Sequence, residues 1–185
     1  MSLTSRQTDH ALLVAPLRDD MDGIKADMAA LGHEILTIET ARSKERAKML
    51  QGKGSSKNGD RSLHCLKRKD GTAESYAVDI GNARGVGKPG SKRAGKIDWW
   101  SDWVKDPKSG LVVKTKFFGD LETVVIRRGW YRILSAGVTH DPTNDSSESW
   151  DAPHAQAIPV SLQNRFRAMD SDARLKALLE LRASK

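Results

Sequence analysis

An α+β fold, a small antiparallel sheet flanked by helices, is the architecture this sequence predicts, and three observations carry it. Apolar residues recur at steps of three and four from Val14 to Leu31, the spacing that lines one face of a helix. Two short segments, 62–67 and 74–80, read as strands joined through Lys69-Asp70-Gly71, a turn signal. A last stretch, about residues 172–182, sets Leu175, Leu178 and Leu179 on one face of an amphipathic C-terminal helix. The 185 residues, 38% hydrophobic and 30% charged, suit a single domain able to bury its own core.

Taken in order, Val14, Leu17, Met21, Ile24, Met28, Leu31, Ile35 and Ile38 spell a coiled-coil seam if read literally. Punctuation argues otherwise. Pro16 suits a first helical turn, Asp19, Asp20 and Asp22 suit its positive end, and Gly32 suits the residue past its C-terminus. The helix then covers about 17–31, between extended segments at 11–14 and 34–40. A second helix is expected at 43–50, followed by a flexible Gly- and Ser-rich loop at 52–60. After the two strands, residues 81–96 are Gly-rich, carry Arg84, Lys88, Lys92, Arg93 and Lys96 with no acid, and read as a solvated loop. Residues 97–104, with Trp99, Trp100 and Trp103, are expected as a short helix, 111–117 as extended, and 121–134 as helical despite Gly129. An acidic, Ser-rich loop at 140–149 leads into Trp150-Asp-Ala-Pro-His-Ala-Gln156.

Composition removes some functions. There is no run of about eighteen apolar residues, as a membrane span requires, and the first six residues lack a signal peptide's apolar centre. The expectation is a protein made in the cytoplasm. Cys65 is the lone cysteine, so an intrachain disulfide and a cysteine-based zinc finger are impossible, and any metal falls to His and carboxylates. The net charge of +7 attracts nucleic acid, anionic lipid or cell-wall polymers without choosing among them. Gly85-Val-Gly-Lys-Pro-Gly90 matches a dinucleotide-binding pattern but opens no helix, and no Ser or Thr follows Lys88 to complete a P-loop. The tryptophans beside the basic loop suit a core or groove wall better than base stacking. Arg165, Arg167, Arg174, Lys176 and Arg182 give the C-terminal region either a solvated face or a contact for anionic envelope lipid.

Five histidines, His10, His33, His64, His140 and His154, are available for chemistry. Strand alternation puts Ser62 and His64 on one face and Ala77 and Asp79 on one face, with Val78 and Ile80 turned to the core. A carboxylate between two buried aliphatics is costly unless partnered, and a metal is a strong partner. His10 and His33 flank apolar segments and need no function, while Cys65 fits a small core position.

Ser62-x-His64, then Ala77-Val-Asp79-Ile, then Trp150-Asp151-Ala-Pro-His154-x-Gln156, all downstream of Thr40-Ala-Arg42-Ser43, resemble a zinc metallopeptidase family. It comprises D-Ala-D-Ala carboxypeptidases, D-Ala-D-Ala dipeptidases and phage L-alanyl-D-glutamate endolysins. The resemblance implies a Hedgehog/DD-peptidase-like fold with Zn2+ held by His64, Asp79 and His154. It implies Asp151 as general base, Arg42 as the cation that contacts substrate and steadies the oxyanion, and Ser62 and Trp150 beside Arg42 at the substrate. Fourteen residues separate His64 from Asp79, a longer interval than the family's, and residues 67–74 are read as an extended hairpin. Arg46 stands where the family often has Gln.

The expected activity is cleavage of the peptidoglycan stem peptide by a monomeric endolysin. It would be held in the host cytoplasm until released to the wall, with no nucleic-acid partner. A D-Ala-D-Ala carboxypeptidase or dipeptidase and a nucleic-acid-binding accessory protein are the competing readings.

Overall fold

The computed structural model describes residues 5–53, 62–132 and 154–184. Among these residues it is a mixed α/β structure with five α-helices and two small antiparallel sheets. Helix α1, Ala15–Ala30, begins with Pro16 in its first turn and buries Leu17, Met21, Ile24 and Met28, as the three-and-four spacing requires. Gly32, at φ +81°, ends it and sends the chain into β1, Ile35–Glu39. The seam therefore breaks where the punctuation placed the break. Helix α2, Lys44–Gly52, starts on Ser43, whose Oγ accepts from the Arg46 amide at 3.1 Å.

Strand β2, Ala77–Asn82, is central. It pairs antiparallel with β1 on one side and with β6, His154–Gln156, on the other, and β6 pairs with the two-residue β5, Tyr131–Arg132. Val78 and Ile80 are fully buried, against α1 and α3, Phe117–Arg127, which adds Leu121, Val124 and Val125 to the same core. Each such side chain contributes about 1.5–3 kcal/mol on burial. Trp130, also fully buried, donates Nε1–H to Asp20 of α1 at 2.8 Å. Helices α4, Gln163–Ala168, and α5, Ser171–Ala183, close the chain.

Several expectations are corrected. Residues 62–67 form no sheet strand; Leu63–Cys65 is a 3-10 turn. Only the tip of the expected hairpin exists, a single bridge between Lys67 and Ala73 around Gly71 at φ +84°. Residues 97–104 are not helical. The Gly-rich segment bridges to them at Val86–Ile97 and Gly85–Val104, so the chain turns and enters β3, Trp103–Lys105, which pairs with β4, Val112–Lys114.

Residues 81–96 are accordingly a built part of this lobe. A Cβ on Gly85 would stand 2.2 Å from the Asp98 carbonyl oxygen, and one on Gly87 2.0 Å from that of Arg93. Backbone contact that close admits only glycine. Helix α3 stops at Arg127 instead of reaching residue 134, because Gly129 at φ +81° closes it. On α5, Leu178 is buried but Leu179 is 50% exposed.

Candidate metal centre

Asp79 sits at the middle of the sheet, directly opposite Glu39 of β1 and His154 of β6. Directly paired residues project to the same face, so Glu39, Asp79 and His154 form a row across three strands. The row depends on a bulge. Thr37 pairs with Ile80, yet the next pair is Glu39 with Asp79; Ile38 is the extra residue, and it moves Glu39 onto the face of Asp79.

His64 reaches this row from the 3-10 turn, not from a strand. Ser62 caps the turn with Oγ 3.4 Å from the His64 amide, and the His64 carbonyl accepts from the Arg42 amide at 2.9 Å. The His64 ring is fully buried, and its Nδ1 lies 2.9 Å from the Thr40 carbonyl oxygen. A carbonyl only accepts, so Nδ1 carries the proton and Nε2 is left with its lone pair facing Asp79 and His154.

The three candidate donors converge. His154 Nδ1 is 2.9 Å from Asp79 Oδ1, His64 Nε2 is 3.3 Å from the same oxygen, and the two histidine nitrogens are 3.2 Å apart. Two ligands bound to zinc at about 2.0–2.1 Å with a tetrahedral angle stand roughly 3.3 Å apart. The trio needs only slight widening at Asp79 and His154 to meet that spacing. Among the described residues it is the one group of three such side chains able to hold a metal ion. His64 is sealed in, whereas the side chains of Asp79 and His154 are 13% and 16% exposed, so the centre opens on their side. Burial alone would raise the Asp79 carboxyl, but the adjoining imidazoles of His64 and His154, when protonated, outweigh it and hold the group well below the usual carboxylate range.

Beside the trio lies a buried ionic network that sequence reasoning missed. Glu39, 1% exposed, accepts from Arg42 Nε at 2.7 Å and pairs with Arg46 through its other oxygen. Arg42 Nη2 in turn stands 3.4 Å from Asp79 Oδ2. Burial works against the Arg42 cation, and the charges of Asp79 and Glu39 overcome it, so its affinity for the proton is raised. Residues 39–46 thus supply the network's acid, the carbonyl that orients His64 and both cations. An acid closing an apolar strand with Arg at the third and seventh positions beyond was the available signal.

Arg42, His64, Asp79 and His154 are brought together. Ser62 is 7% exposed, with its hydroxyl turned to the His64 backbone; it shapes the turn and shares no strand face with His64. Trp150 and Asp151 lie outside the described residues, as does His140. His10 Nε2 meets Thr37 Oγ1 and His33 Nε2 meets Asp120 Oδ2, each at 2.8 Å, which accounts for both without a metal. Cys65 is buried. The chain matches no family model, no curated protein and no solved structure.

Proposed function

We propose that the protein is a zinc peptidase of the bacterial peptidoglycan stem peptide, cutting the L-alanyl-D-glutamate bond as a phage endolysin. One observation carries the reading: His64, Asp79 and His154, drawn from separate sequence motifs, place their donor atoms around a single point. Zinc bound there would supply Lewis acidity and a water of pKa near ~7. His64, with its outer nitrogen held by the Thr40 carbonyl, presents a fixed donor, and Asp79 and His154 border the open side. Asp151, three residues before His154 in the chain, is the base that takes the proton from the attacking water. Arg42, held by Glu39 next to Asp79, donates to the oxygen of the scissile carbonyl as charge gathers on it.

The test combines metal content with product analysis on isolated peptidoglycan. Wild type is expected to hold zinc and to expose a free L-alanine carboxyl end in the muropeptide mass spectrum, with chelation abolishing the cut and zinc restoring it. Asp151→Ala should keep the zinc and lose about 10²–10⁴-fold in rate, whereas His154→Ala should lose both. Released D-alanine would point to the carboxypeptidase or dipeptidase reading. Lysis indifferent to chelators would sink the metallopeptidase reading altogether.

A further inference from the structure

Residues 84–116 hold nine Lys or Arg and three Asp, a balance of +6 within a chain whose net charge is +7. This is the lobe made by the Gly-rich segment and the β3–β4 hairpin. Its three acids are engaged within the fold. Asp98 pairs with Arg93 at 3.5 Å and accepts from the Trp100 amide at 3.3 Å. Asp102 accepts from the Phe118 amide at 3.0 Å, and Asp106 from the Lys108 amide at 2.7 Å. Of the nine cations all but the half-buried Lys88 are exposed. The C-terminal helix, by contrast, turns Arg174 inward, 5% exposed and bonded to the Lys67 carbonyl, and ties Arg182 to Asp20 at 2.7 Å. The free basic surface therefore belongs to the lobe and not to that helix.

The hairpin adds an apolar component. Val104 pairs directly with Val113, and Leu111 lies two residues before Val113, so the three share a face, while Lys105 and Lys114 project from the other beside the half-buried Trp103 and Val112. Leu111 is 66% and Val113 40% exposed. An aliphatic face backed by lysines suits a layer that is apolar beneath and anionic above, where aliphatic side chains enter the acyl boundary and lysine heads reach phosphates. Duplex nucleic acid would engage the cations alone, and single strands call for open aromatic faces, whereas the lobe's Trp99, Trp100 and Trp103 are half-buried and Arg6 stands over the Trp99 ring. We propose that the lobe of residues 84–116 docks on an anionic phospholipid surface.

Co-sedimentation of the full chain with vesicles tests this, using phosphatidylglycerol mixed into phosphatidylcholine against phosphatidylcholine alone. Binding is expected to the mixed vesicles only and to fall as salt rises. Lys105→Glu with Lys114→Glu should weaken it by about fivefold for each positive charge removed. Leu111→Asp, at an exposed position, should weaken it by about tenfold, with zinc content and thermal midpoint unchanged. Equal binding to both vesicle types, or a Leu111→Asp protein that binds as wild type does, overturns the proposal. Tighter binding to duplex DNA than to the mixed vesicles at the same salt, untouched by Leu111→Asp, overturns it in favour of a nucleic-acid partner.

Discussion

Glu39 shows how much one side chain carries. It is the shared counter-charge of Arg42 and Arg46, and all three are nearly sealed from water. Removing one partner of a buried ion pair costs about 3–5 kcal/mol, because the remaining charge stays desolvated. Glu39→Gln is therefore expected to lower unfolding stability by that amount, read from the urea midpoint at unchanged slope. A loss under about 1 kcal/mol would mean that water already compensates the arginines. The same substitution frees Arg42 from its anchor beside Asp79. The sequence marked Arg42 and the three donors, because each stands in a short motif. It did not mark Glu39, whose role depends on a strand register that no local pattern reveals.

Among the elements, those with local start and stop signals were legible. Helix α1 was, through Pro16, its apolar spacing and Gly32; so were α2 through Ser43 and β2 through its aliphatic pair. The 3-10 turn at Leu63–Cys65 was not, since the tie from Arg42 to His64 that holds it spans about twenty residues of chain. Residues 97–104 were misread for the same reason: partners in the Gly-rich segment, not helix propensity, decide their conformation.

Helix α5 offers a check on local chemistry. Asp170 caps it, and amide hydrogen bonds, chiefly from Ala173, lower its carboxyl pKa from 3.8. A lowered folded pKa means that the cap's stabilisation is complete above the ordinary carboxylate value and is lost as pH falls through the folded one. Asp170→Ala should lower the thermal midpoint by about 2–4 °C near neutrality. The gap to wild type should close as the pH drops below about 3.8. A gap that persists in strong acid would assign the effect to packing.

For the molecule as a whole, a metal that binds only the folded chain adds to its stability by mass action. Free zinc at about one hundred times its dissociation constant contributes about 2.7 kcal/mol, or roughly 5–11 °C in the thermal midpoint for a chain of this size. Calorimetry with and without zinc should show that rise in wild type and lose it in His154→Ala. The same rise in both would place the ion elsewhere. The general class, helices around small antiparallel sheets, was readable from the order of patterned segments. The division of labour was not: one sheet and the 3-10 turn beside it gather the donors, while the separate hairpin lobe gathers the charge.

The bulge at Ile38 sets the phase of the strand that follows it. One extra residue decides whether the segment beginning at Glu39 faces the donors or turns its back on them, and with it go the Thr40 carbonyl and both arginines. Strand length in β1 is therefore counted, not merely tolerated. Anyone transplanting this centre to another sheet would have to carry the miscount along with the ligands, since a perfectly regular strand would deliver the right residues to the wrong side.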